Sequence, residues 1–150
     1  MARNSYVRQK PLTLAQQCYF LRATFPQFVA ETTRTELRGV GTLRPSAVSD
    51  TYTIKVTYNI PLRPRVHVLS PQLQLAPGCK RLPHVFEGNE LCLYLAGDWR
   101  PEMRISDFIV PWITLWLRFY EVWVVTGSWE GGGTHPDAPC TNRDDRSELN

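Results

Sequence analysis

The residue in this sequence best suited to covalent chemistry is Cys92, within the stretch LPHVFEGNELCLYLAGDW of residues 82–99. His84 lies eight positions before it, Glu87-Gly88-Asn89 lies between them, and Asp98-Trp99 follows. A cysteine attacks as its thiolate, so it needs access and a favourable electrostatic setting. A Glu-Gly-Asn turn reverses the chain sharply and can leave the next residues at the lip of a groove. On that reading Cys92 is accessible and His84 favours its thiolate. The contrary reading is a buried cysteine packed as a small hydrophobe, as free cysteines usually are.

Other constellations are weaker. Cys79, His84 and Cys92 match no zinc spacing and lack a fourth ligand, so no metal site is expected. A Cys92–His84 hydrolase is conceivable. Papain-like enzymes, however, place histidine after cysteine, and no acidic orienter stands out. His67 reads as a packed or surface strand residue, Cys18 as helix core, Cys79 as loop-borne and Cys140 as part of a tail. Trp99 reads as packing beneath the loop.

The chain has 150 residues and a net charge of +3, which suits one domain with a sizeable core. Its basic residues are scattered, so no nucleic-acid partner is expected. MARNSYVRQK is basic but no apolar segment follows, so it is not read as a signal peptide. The most apolar stretch, residues 108–125, carries Arg118 and Glu121, which argues against a membrane span. The 4 cysteines form no CxxC pair. A cytoplasmic location with free thiols is the expectation. No cofactor is expected.

The elements that must position Cys92 can be read in order. A helix is expected over Leu12 to Thr24, capped by Thr13, with Leu14, Cys18 and Leu21 on one stripe and Pro26 as its stop. Strands are expected over Gln27 to Arg34, with Phe28 inward, and over Glu36 to Arg44. Asp50 to Ile60 has Tyr52, Ile54, Val56 and Tyr58 on one face at strict period two. A fourth strand runs over Arg65 to Ser70. Short links favour an antiparallel meander. Residues 71–97 read as mostly irregular, which usually signals function in a compact domain. Ser106 and Asp107 can cap a helical turn before the main helix, Pro111 to Val125. Its expected core stripe is Trp112, Leu115, Trp116, Phe119 and Trp123, lying across one sheet face. Gly127 ends it. Residues 1–130 are therefore expected to form the domain and residues 131–150 a flexible tail.

This order of elements resembles the ubiquitin-conjugating (UBC) fold, an α+β architecture. RGVGTLRPS, DTYTIKVTYN, PRVHVLSP, LPHVFEGNELCLYL, DFIVPWITLWLRFYEVWVVTGSW and GGGTHP resemble its bacterial members in antiphage CBASS-type islands, over roughly residues 10–136. The resemblance implies that Cys92 carries a protein C-terminus as a thioester and passes it to an amine, usually a lysine. It places His84 where eukaryotic relatives have the histidine of a His-Pro-Asn motif. Here Val85 and Phe86 follow, so the proline and asparagine are absent. Asn89 is the nearby asparagine that could stabilise the oxyanion, and Asp98 could orient or deprotonate the incoming amine. Asp before Trp in a loop is also a common turn cap. The last helices of eukaryotic relatives are not expected. The implied partners are a cyclic-oligonucleotide synthase (a nucleotidyltransferase) or a ubiquitin-like protein as acyl donor. An activating enzyme, if one takes part, would be a separate protein. The rival functions are an inactive binding module of the same fold and the Cys92–His84 hydrolase.

Overall fold

Thr13 starts the first helix, α1 (Leu14–Thr24). Its hydroxyl accepts the Gln16 N–H at 3.1 Å, and Gln16 Oε1 accepts the Thr13 N–H at 2.9 Å. This reciprocal capping box satisfies two donors that the first turn would leave open. The helix therefore begins at Leu14, two residues later than expected. Residues 9–132 are described in this computed structural model. Of the expected tail, only Gly131 and Gly132 fall within that range.

Four strands follow as an antiparallel meander: β1 (Val29–Thr32), β2 (Leu37–Leu43), β3 (Tyr52–Tyr58) and β4 (Arg65–Ser70), in the spatial order β1-β2-β3-β4. The strict alternation of β3 holds: Tyr52, Ile54, Val56 and Tyr58 are buried and the residues between them are half-buried. β1 is shorter than expected, because Thr33 breaks it. The Thr33 Oγ1 accepts the N–H groups of Thr35 and Glu36, which closes a turn into β2. Gly41 is required by packing. A Cβ there would lie 2.4 Å from the Phe28 ring, which is buried against the sheet.

The last helix, α2 (Ile109–Thr126), begins two residues before its expected start. Pro111 still falls in its first turn, where its missing N–H costs nothing. Ser106 and Asp107 do not cap it. The residue at the cap is Phe108, with no side-chain bond, and Ser106 Oγ points instead to Asp107 Oδ1 at 3.3 Å. The buried stripe is Ile109, Val110, Ile113, Trp116, Leu117, Tyr120 and Trp123. Of the expected stripe only Trp116 and Trp123 are core. Leu115 is 49% exposed, and Trp112 and Phe119 are half-buried. Ranking the aromatic rings above the aliphatic residues rotates the expected face away from the actual one. Gly127 ends the helix in the left-handed region, φ 74°, with its N–H on Trp123 O at 2.7 Å. Tyr120 meets β3 edge-on at Tyr52, with centroids 6.4 Å apart. Glu121 accepts the Ser49 hydroxyl at 2.7 Å. Among the described residues no helix is long and apolar enough to cross a membrane.

Buried Gln17 joins the two ends of the fold. Its Nε2 donates to Met103 O at 2.7 Å and its Oε1 accepts the Ile105 N–H at 2.9 Å. That fixes the segment entering α2 against α1, and with it the far end of the loop that carries Cys92.

Candidate active site

The residues around Cys92 form a small hairpin within otherwise irregular chain. Cys92 N–H donates to His84 O at 2.9 Å, Val85 bridges Leu91, and Phe86 N–H donates to Glu90 O at 2.7 Å. The tip is a 3-10 turn, Glu87–Asn89, with Gly88 at φ 74° and Asn89 at φ 59°. Glycine and asparagine are the residues that take positive φ most readily, so the Glu-Gly-Asn signal is fulfilled in geometry.

Two backbone attachments of this hairpin to the scaffold stand out. Leu91 N–H donates to Val66 O at 2.9 Å, so the segment adds itself to the free edge of β4. Trp116 Nε1 of α2 donates to His84 O at 3.1 Å. The His84 carbonyl thus takes two donors, one from Cys92 and one from α2. His84 itself sits at φ 47°, an uncommon conformation for a residue with a side chain. Strain of this kind concentrates at functional sites.

The structure brings Cys92 and His84 together through their main chains. Cys92 is half-buried, and its Sγ lies 3.8 Å from Tyr94 O. Burial pushes its thiol up, against the pull of the Arg63 guanidinium and the Tyr94 main chain, while Glu90 adds to the rise. The His84 ring is buried and packs against Trp129, centroids 5.0 Å apart.

Asn89 is exposed at the turn tip, with the Phe86–Glu90 and Val85–Leu91 pairs between it and the Cys92–His84 pair. Asp98 lies in the following turn. Its Oδ2 accepts the Leu95 N–H at 3.0 Å, and its own N–H reaches Leu95 O at 3.1 Å. It is therefore a turn cap, with Gly97 at φ 92° beside it. Trp99 is buried, its ring edge-on to Tyr58 at 5.6 Å.

Sequence reading missed the charges at this site. Arg63, from the β3–β4 connection, is paired with Glu90 and lies over the Phe86 ring, 4.5 Å from its centroid. Tyr94 OH donates to Pro64 O at 3.4 Å, and its ring packs on Trp112 of α2 at 5.1 Å. Burial pushes the Tyr94 hydroxyl up to about 12, with Arg63 opposing. One signal was available. In extended chain, residues two apart share a face, so Glu90, Cys92 and Tyr94 belong together. Leu91, on the opposite face, is buried, and Leu93 packs against the core.

The remaining cysteines divide sharply. Cys18 is buried, its Sγ 3.5 Å from Ala30 O. Cys79 is disulfide-bonded, contrary to the expectation of free thiols. Cys140 lies outside the described residues. His67 is a half-buried strand residue, held toward its neutral form by burial and Lys55. Among the described residues no group of three or more His, Cys, Asp or Glu side chains could hold a metal ion.

The model of the Type II CBASS E2 protein family matches residues 17–136. That span contains the meander, the hairpin, Cys92 and the whole of α2. No curated protein matches the chain.

Proposed function

The chain belongs to the Type II CBASS E2 protein family, and from that premise we propose that it is a conjugating transferase of the UBC type whose acyl carrier is Cys92. The observation that carries the choice of residue is the state of the cysteines. Of the two free cysteines among the described residues, Cys18 is core, and Cys92 is half-buried on a loop docked to β4.

In the proposed reaction the Cys92 thiol loses its proton to solvent and the thiolate attacks an activated acyl carbon at a protein C-terminus. A tetrahedral oxyanion forms, the donor's leaving group departs with its electron pair, and a thioester remains. An amine, typically a lysine, then attacks that carbonyl carbon. The C–S bond breaks, Cys92 leaves as thiolate, and the amine's surplus proton passes to water. A thioester is already activated, so positioning and oxyanion stabilisation are the main demands on the protein.

Asn89 is the proposed oxyanion donor as the one side-chain amide on the hairpin; two residue pairs separate it from Cys92, so the role requires the turn tip to bend toward the acyl group. His84 is proposed to organise the site through the carbonyl shared by Cys92 and Trp116. Asp98, at the next turn, is the proposed residue for orienting the amine. The proposed acyl donor is a partner of the CBASS system: the cyclic-oligonucleotide synthase, through its C-terminus, or a ubiquitin-like protein. Cytoplasmic action follows from that setting.

One observation favours a binding module instead. Burial disfavours the Cys92 thiolate, as it would in an inert cysteine. A single experiment separates the two readings. Expressed with its CBASS partners, the wild-type protein should form a covalent adduct that reductant cleaves. Cys92→Ala should form none, and Cys92→Ser should trap an ester resistant to reductant. Full conjugation or phage defence by Cys92→Ala would leave only the binding module. Turnover of a small thioester by the isolated protein would point to the hydrolase.

A further inference from the structure

Cys92 lies between two residues, Glu90 and Tyr94, that are both bound to one charged stretch of the chain, Arg63-Pro64. Arg63 sits between Leu62 and the buried Pro64, in the connection from β3 to β4. The Tyr94 hydroxyl donates to Pro64 O, which fixes this connection beside the segment that holds Cys92. The Glu90 side chain is only 11% exposed, so its charge needs a partner, and Arg63 supplies it. The Phe86 ring supports the guanidinium from the other side. A guanidinium is a rigid fork of five donors, and one carboxylate does not occupy them all.

We propose that Arg63 is a positioning cation for the Cys92 site: held by Glu90 and Phe86, it supplies the positive charge against which the sulphur anion forms and departs. The groups around the sulphur fit this role. Arg63 favours the thiolate and Glu90 opposes it, and Arg63 has the larger effect of the two. Tyr94, two residues after Cys92, is held toward its neutral form by burial. His84 is the residue paired across the hairpin, and His67 of β4 is held toward neutrality by burial and Lys55, with Glu90 opposing. Glu90 therefore has two opposing influences: it anchors the cation and restrains it. A fall in the field at the sulphur would slow both entry of the acyl group and departure of the thiolate. That consequence rests on the conjugating role proposed above, whereas the effect on the bare thiol does not.

The test is the rate of Cys92 alkylation by iodoacetamide against pH, followed by mass spectrometry on the full chain, with folding checked by thermal melting. Arg63→Gln should move the profile to higher pH and slow alkylation at pH 7 by roughly three- to tenfold, the usual reach of one nearby charge. Arg63→Lys, which keeps the charge but not the fork, should fall between. Glu90→Gln, whose amide oxygen can still accept from the Arg63 guanidinium, removes only the opposing charge and should move the profile to lower pH. That opposite sign is what a purely structural ion pair would not produce, since loosening the hairpin would change both variants alike. An unmoved profile in Arg63→Gln, or an alkaline shift in Glu90→Gln, overturns the proposal. If Arg63→Gln does not fold, the sign of the Glu90→Gln shift decides alone. Adduct formation is measured in parallel. Adducts that form normally while the alkylation profile ignores Arg63 sink this inference only. A shifted profile with no adduct in any variant sinks the conjugating role only.

Discussion

The sheet and the hairpin that carries Cys92 are held by different means. Each sheet strand lies in a ladder of successive pairs, with β2 and β3 matched from Leu37↔Tyr58 to Leu43↔Tyr52. The hairpin is attached at isolated points, Leu91 to Val66, Trp116 to His84 and Glu90 to Arg63. Both non-glycine residues with positive φ among those described, His84 and Asn89, are in the hairpin, and none is in the sheet. A ladder distributes the loss of one contact over its neighbours. A single attachment cannot, so the site is the part of the molecule where one substitution can change geometry without changing the fold.

Substitutions at three positions can break or sharpen this contrast. Trp116 belongs to both regions, as core of α2 and as donor to His84, so its loss should be felt most. Trp116→Ala is expected to cost about 3–5 kcal/mol in denaturant unfolding, the range for a buried large aromatic. Trp116→Phe keeps an aromatic ring but removes the donor, and about 1 kcal/mol is expected for that bond. Cys92 alkylation should then change more than the melting temperature. A stable Trp116→Ala protein that had lost only partner binding would make this residue an interface.

Gly41→Ala tests the sheet alone. The added methyl would sit 2.4 Å from the Phe28 ring, and overpacking of that kind costs about 1–3 kcal/mol. Cys92 alkylation should be unchanged, because the ladder absorbs the strain before it reaches β4. A large change in alkylation would show that the two regions are coupled.

The smallest effect on stability is expected at Asn89. Asn89→Gly suits φ 59° and should change the unfolding free energy by only a few tenths of a kcal/mol. With its CBASS partners the variant should still carry the acyl group but transfer it roughly a hundredfold more slowly, as loss of an oxyanion donor predicts. Normal transfer would move that role elsewhere, with His84→Ala the next variant to measure.

What was legible in the sequence follows from how far each signal reaches along the chain. β3 is written in its period-two alternation, β4 in its flanking prolines, and α1 in its Thr13 cap and Pro26 stop. All three are local patterns. The hairpin was legible too, because Gly88 and Asn89 announce their own backbone geometry. Three features were not. Arg63 and Glu90 are 27 residues apart, and no periodicity joins them. The face of α2 depended on which apolar residues the rest of the fold would cover. Aliphatic Ile113 and Leu117 face the core, while Trp112 and Phe119 turn aside to meet Tyr94 and Trp129. The Cys79 disulfide likewise has no local signature.

The bond from Leu91 to Val66 also has a bearing on solubility. β4 is the last strand of the sheet, and an outer strand with open N–H and C=O groups is a template for another chain. The site hairpin occupies part of that rim with its own backbone. A variant that dislodges the hairpin would therefore bare the rim of β4 as well as disturb Cys92, and would be expected to aggregate as readily as to lose function.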